Sequence, residues 1–193
     1  MEKLNLIGAQ PFATKRCSLR QFKNGDEEYI FKNWASSEKV ARYVTWYAHK
    51  SIDDSRDFCR YTVEKSKNLD NFDWMIELND LGEPIGSIGV VSADTEKREA
   101  ELGWVIGEKW WNKGIMTECA EAVIAYLIFV VGFDKLTASH ITENAASGRV
   151  MEKCGMTRQL ARTRHLDIKN IDVETAEYTI TKAEWYAKNI KLK

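Results

Sequence analysis

Residues 16–22 (RCSLRQF) read as a first strand. Residues 26–35 then place Ile30, Phe31 and Trp34 on one side at helical spacing. Ser51 opens a stronger helix, with Asp54 three positions on in capping-box fashion, an acid standing in for the usual Glu. Phe58, Tyr61, Thr62 and Lys65 continue it at helical spacing. Residues 72–78 alternate as a strand, 79–82 (NDLG) form a turn, and 84–92 return as a strand. A second polar turn at 94–98 leads to a strand over 100–106. The middle of the chain therefore predicts an antiparallel meander.

The second half changes period. Apolar residues at Ile115, Cys119, Val123, Ile124, Leu127, Ile128 and Val131 make a wide helical stripe over 114–131, ended by Gly132. Residues 135–141 are short and strand-like, 145–154 are helical, and Gly155 is a good helix stop. Residues 157–168 and 173–181 predict a hairpin turning at Lys169 and Asn170, before a final helix near Lys182. The fold class is α+β: a meander, a β-α-β unit and a closing hairpin, giving a mixed, mostly antiparallel sheet flanked by helices. No internal repeat or linker interrupts the 193 residues, so a single domain over 1–193 is expected.

Composition narrows the functional classes. With 28 Lys+Arg against 29 Asp+Glu, the formal charge of -1 argues against a nucleic-acid-coating protein. The longest apolar run, 122–131, falls far short of the roughly 20 residues of a membrane span. The start carries no apolar run of the kind a signal peptide has. Cys17, Cys59, Cys119 and Cys154 are scattered, as are His49, His140 and His165; no metal-ligand spacing emerges, and the cysteines read as reduced thiols of a cytoplasmic protein.

The most informative stretch runs from 100 to 118. A strand ends at Gly107, and Trp111-Asn112-Lys113-Gly114 leads into the long helix. Free N–H groups at a helix start favour phosphate; Gly114 allows close backbone approach and Lys113 adds positive charge. A P-loop is excluded, because Lys113 precedes Gly114 and Ile115 follows it; no G-x-G-x-x-G is present either. An ordinary helix start without a ligand is the competing reading.

The blocks Glu101-Leu102-Gly103-Trp104, Lys113-Gly114-Ile115-Met116-Thr117-Glu118, Asn144-Ala145-Ala146-Ser147 and Glu152-Lys153-Cys154-Gly155-Met156 occur in that order. Together they resemble the acetyl-CoA-binding core of the GNAT N-acetyltransferase superfamily, in particular its Rim-type (ribosomal-protein-alanine N-acetyltransferase-like) branch. The likeness covers about residues 14 to 187. Trp111, Asn112, Met116 and Cys119 depart from the branch's usual residues; Asn112 can reach the left-handed region that glycine favours, and Met116 is flexible enough to pack inward.

The resemblance implies acetyl-CoA as co-substrate and no metal. Phosphates would rest on the N–H groups of Asn112, Lys113, Gly114, Ile115, Met116 and Thr117, beside Trp111. The pantetheine arm would pair with the backbone of Trp104, Val105 and Ile106, as an added strand does. Asn144 would bond the pantetheine, cap the following helix, or do both. Strand alternation puts Glu99, Glu101 and Gly103 on one face. Glu101 is the candidate base for the amine, against a solvated or ion-paired carboxylate. Ser147 is the candidate acid for the leaving thiolate, no tyrosine being present at 148–153, against a helix-turn serine. His140 and the stripe Arg158, Arg162 and Arg164 are lesser candidates. Tyr43, Trp46 and Tyr47 would wall the acceptor cleft or pack on the core.

The expected function is direct acetyl transfer from acetyl-CoA to a primary amine, with a protein N-terminus as leading acceptor and a small-molecule amine or amino-acid analogue close behind. The expected assembly is a monomer or homodimer, without nucleic acid or membrane. Rival readings are a non-catalytic acyl-CoA sensor and a transferase of a longer acyl chain.

Overall fold

A computed structural model of the chain describes residues 3–190. Strands β1 (Phe12–Ala13) and β2 (Cys17–Arg20) are followed by helices α1 (Glu27–Ile30), α2 (Glu38–Ala41) and α3 (Ile52–Lys65). A π-helical turn, Phe31–Ala35, extends α1. Strands β3 (Asp73–Leu78), β4 (Glu83–Asp94) and β5 (Glu99–Ile106) form the predicted meander. Helix α4 (Ile115–Tyr126), with a π-helical turn at Leu127–Val131, crosses to β6 (Lys135–Ile141). Then come α5 (Ala145–Lys153), β7 (Thr157–Leu166), β8 (Ile171–Thr181) and α6 (Lys182–Ile190).

Among the described residues the strands make one sheet in the order β1-β2-β3-β4-β5-β6-β8-β7. Every pairing is antiparallel except β5 with β6, the pair that α4 connects. That parallel ladder runs from Glu99↔Lys135 to Leu102↔Ala138 and then stops. From Gly103 to Ile106, β5 pairs only with β4 and has no strand on its other edge.

Apolar clusters pack on both faces of the sheet, while the edge strand β7 stands exposed from Thr157 to His165. The larger apolar cluster joins Trp74, Ile88, Ala100, Leu102, Leu136 and Ile180 to the buried stripe of α4, where Ile115, Cys119, Val123 and Ile124 are almost fully enclosed. This is the face the 3.6-residue period predicted. On the opposite face Met75 packs with Ile30, Trp34, Val40 and Cys59. Helix α3 begins as predicted: the Asp54 carboxylate accepts from the backbone N–H groups of Ser51 (3.0 Å) and Lys50 (2.8 Å), which hold it below the usual carboxylate range. Its buried side, however, is Ser55, Cys59 and Thr62, while Phe58 and Tyr61 stand exposed. Small side chains face inward where α3 lies against α1.

Two irregularities shape β5. A bulge between Val90 and Ser92 inserts Val91 into β4, opposite the Glu101–Leu102 stretch. Val91 Cγ1 would lie 2.6 Å from a Cβ on Gly103, so a side chain there would displace Val91. No described helix is long and apolar enough to cross a membrane.

Candidate active site

The open edge of β5 borders a cavity of about 420 Å³. Its floor is Trp104, Val105 and Ile106; one wall is the start of α4 and the loop before it, and the other is one side of α5 along its length, from Ala145 to Lys153. Val40, Tyr43 and Val44 close the side. Of the residues singled out from the sequence, Trp104, Val105, Ile106, Trp111, Asn112, Gly114, Ile115, Met116, Thr117, Asn144 and Ser147 all line this one cavity.

The loop explains itself residue by residue. A short 3-10 turn, Glu108–Trp110, leaves β5, and the Trp111 indole Nε1 donates to the Ile106 carbonyl at 2.8 Å, folding the loop back over the strand end. Asn112 (φ 59°) and Gly114 (φ 73°) both adopt left-handed backbone, and Gly114 caps α4. Met116 is 6% exposed and packs in the larger cluster, so its bulk turns inward. Lys113 projects from the rim and does not line the cavity; its carbonyl accepts from Arg16 Nη1 at 2.9 Å. The sequence pattern gave no signal for Arg16, which also binds Glu118 of α4 through its Nε (2.7 Å) and its backbone N–H (2.8 Å). Burial pushes the Glu118 carboxyl up, but the bonds from Thr14 and Arg16 outweigh it and hold the group below its ordinary range.

On the α5 wall, Asn144 caps the helix by accepting from the Ser147 backbone N–H (3.4 Å), and its amide Nδ2 donates to Ser147 Oγ at 3.0 Å. Because Oγ accepts there, the Ser147 O–H proton is left to donate elsewhere. The capping and ligand roles of Asn144 are thus geometrically compatible.

Glu101 lies outside the cavity lining, three residues before Trp104 on the face shared with Gly103 and Val105. Its carboxylate accepts from Ser139 Oγ (2.8 Å) and from Ser92 Oγ (3.5 Å), with Arg164 Nη1 at 3.4 Å. Arg158 and Arg162 are exposed on the same strand as Arg164. Of the aromatic group, Tyr43 lines the cavity. Trp46 packs on the smaller cluster beside His49. Tyr47 is exposed and meets the β7–β8 turn, where its hydroxyl donates to the Lys169 carbonyl at 3.5 Å. His140 donates Nδ1–H to the Ile141 carbonyl, leaving a buried Nε2 without a partner, packed against Gly148. Missed at the lining were Val40, Val44, Trp110, Glu143, Arg149 and Val150, which fall outside the four sequence blocks.

The thiols offer no obvious nucleophile. Burial pushes Cys59 and Cys154 up to about 12. Cys17 is lowered by the Cys119 thiol and Cys119 raised by Cys17, but both are fully enclosed.

A family model described as "Acetyltransferase (GNAT) domain" matches residues 16–157. The chain belongs to the GNAT acetyltransferase family. Among curated relatives, this acetyltransferase is 28% identical over 169 residues to the uncharacterized N-acetyltransferase YoaA of Bacillus subtilis (strain 168), a match covering 88% of this chain and 95% of the relative. Among solved structures it superimposes on the ribosomal-protein-S5-alanine acetyltransferase from Vibrio fischeri with a TM-score of 0.78, at 16% identity, over 91% of this chain and 98% of that one. The microcin C7 self-immunity acetyltransferase MccE, solved with acetyl-CoA and AMP, shares the fold at a TM-score of 0.76 and 16% identity, over 86% of this chain and 93% of that one. The GNAT fold, with its mixed and mostly antiparallel sheet, is as the sequence blocks implied. No group of His, Cys, Asp or Glu arranged to hold a metal occurs among the described residues.

Proposed function

We propose that this acetyltransferase moves the acetyl group of acetyl-CoA to a primary amine by direct attack, with a protein N-terminal amine as the leading acceptor. The observation that carries the reading is the half-paired β5 beside the left-handed loop, with Asn144 and Ser147 facing it across one cavity. The residues present suit the donor. An amide-rich pantetheine arm can add to the free edge of Trp104–Ile106 by main-chain bonds. The N–H groups from Asn112 to Thr117 suit its phosphates.

In the proposed reaction Glu101 takes the acceptor's proton, directly or through water, since an ammonium has no lone pair to attack a thioester. The new N–C bond forms as the C–S bond breaks, and Ser147 gives its hydroxyl proton to the departing thiolate. Asn144 Nδ2 donates to Ser147 Oγ, so the Ser147 hydroxyl proton is not engaged by Asn144. Tyr43 lines the cavity, and the segment it shares with Trp46 and Tyr47 is the region to search for acceptor selectivity.

The similarity to ribosomal-protein acetyltransferases favours the N-terminal amine; a small-molecule amine is the second acceptor class. The test is thiol release from acetyl-CoA with a panel of N-terminal peptides and small amines. Amine-dependent release with peptides supports the full reading, and release only with small amines moves the acceptor. Tight CoA binding with no turnover on any amine would make the chain a sensor. Comparing propionyl- and succinyl-CoA fixes the acyl chain.

A further inference from the structure

We propose that Arg16 is a positioning residue that sets the phosphate-binding loop of this acetyltransferase, by fixing the Lys113–Gly114 peptide and neutralising Glu118; this rests on the CoA reading above. Arg16 lies just before β2, 102 residues from Glu118, yet its guanidinium and backbone reach three points at once. Nε donates to Glu118 Oε2 at 2.7 Å, the backbone N–H to Oε1 at 2.8 Å, and Nη1 to the Lys113 carbonyl at 2.9 Å.

The last of these bonds orients the loop. In a trans peptide the C=O and the following N–H point in opposite directions. Holding the Lys113 carbonyl on the Arg16 side therefore turns the Gly114 N–H to the other side of the loop. Lys113 stands between two left-handed residues, Asn112 and Gly114, in an exposed stretch. An unheld peptide there would sample other orientations before binding, and that freedom would be lost on binding. Glu118 raises a second need. It places a carboxylate in the first turn of α4, where an anionic ligand is to sit. Unpaired, it would repel phosphate; paired with Arg16, it serves as the anchor that aims the guanidinium at Lys113. The planar fork of arginine holds Glu118 and the Lys113 carbonyl in one fixed geometry, whereas an ammonium on its flexible stem sets no such geometry.

The experiment is calorimetric titration of wild type, Arg16→Gln and Arg16→Lys with CoA and with dephospho-CoA, which lacks only the 3′-phosphate. A control, Phe133→Leu, weakens the core beyond the far end of α4. Both ligands should lose affinity by the same factor in Arg16→Gln, about 10- to 100-fold, the scale of a lost hydrogen bond to a charged group. Arg16→Lys should recover less than half of that loss on a logarithmic scale, and Phe133→Leu should bind as wild type does. Unchanged affinity overturns the proposal. So does a loss confined to CoA, which would mean a direct contact with the 3′-phosphate. Full recovery by Arg16→Lys would mean charge alone, and an equal loss in the control would mean general destabilisation; each also overturns it. Should Arg16→Gln not fold, Arg16→Lys carries the test. Wild type that binds neither ligand overturns the CoA reading itself.

Discussion

The two halves of β5 are built from the same strand and do opposite work. From Glu99 to Leu102 both edges are paired, Ala100 and Leu102 are buried, and Glu101 is tied to Ser139 and Arg164. From Gly103 to Ile106 one edge is unpaired and the strand borders a cavity. The first half is scaffold that fixes a carboxylate in place. The second half leaves one backbone edge without a strand partner beside the cavity, and the proposed pantetheine pairing would cover it. The end of the parallel ladder is therefore enough to open a groove, without any special side chain at its floor.

The sharpest way to break that contrast is at the end of the open half. Gly114→Asp adds a side chain at φ 73° and a carboxylate where phosphate should lie. It should abolish the rise in melting temperature that CoA causes in wild type, read by thermal shift; a shift of wild-type size would move the phosphate site elsewhere. On the paired half, Glu101→Gln keeps size and removes basicity. It should lower kcat/KM by about 10²-fold, within the general-base range, and leave the CoA-induced shift intact. Its pH–rate profile should rise at higher pH, since activity would then depend on amine already neutral in solution. A Gln variant with wild-type rate and profile would return Glu101 to a structural ion pair and turn attention to Glu99 or His140.

Across the cavity, Ser147→Ala should slow turnover by about 10- to 100-fold with little change in CoA affinity, measured by steady-state kinetics and titration. Full activity would leave Ser147 as a residue of the α5 cap. The smallest effect belongs to Trp104→Phe. Main-chain pairing tolerates many side chains, so CoA affinity should change by less than about threefold. A much larger loss would show that the indole, and not the strand edge, does the binding.

Much of the fold was legible in the sequence because its long elements carry clean periods and turn residues. Strand β6 and the stripe of α4 fall where the pattern puts them. What escaped was short or crowded. Strand β1 has two residues and α2 has four, too few to show a period. The bulge at Val91 let β4 run on to Asp94, beyond its apolar pattern. On α3, Phe58 and Tyr61 drew attention by size, but close packing selected Ser55 and Cys59. For the site, local chemistry was legible at Asn112, Gly114 and Met116, where backbone freedom and flexibility are residue properties. The splay of β5 from β6 and the bond from Arg16 to Glu118 were not. Both are relations between distant segments, and one sequence carries no local mark of them.

The single parallel pairing also bears on the order in which the chain folds. Strands β3, β4 and β5 meet through short turns, whereas Glu99 finds Lys135 across 36 residues. Closing that longer loop costs more chain entropy, so the meander has the advantage of forming first. The groove exists only after α4 has crossed and β6 has docked, which makes it a late product of folding. A ligand that needs the groove then has little to hold in the transition state. CoA should slow unfolding several-fold and leave the refolding rate nearly unchanged in stopped-flow measurements.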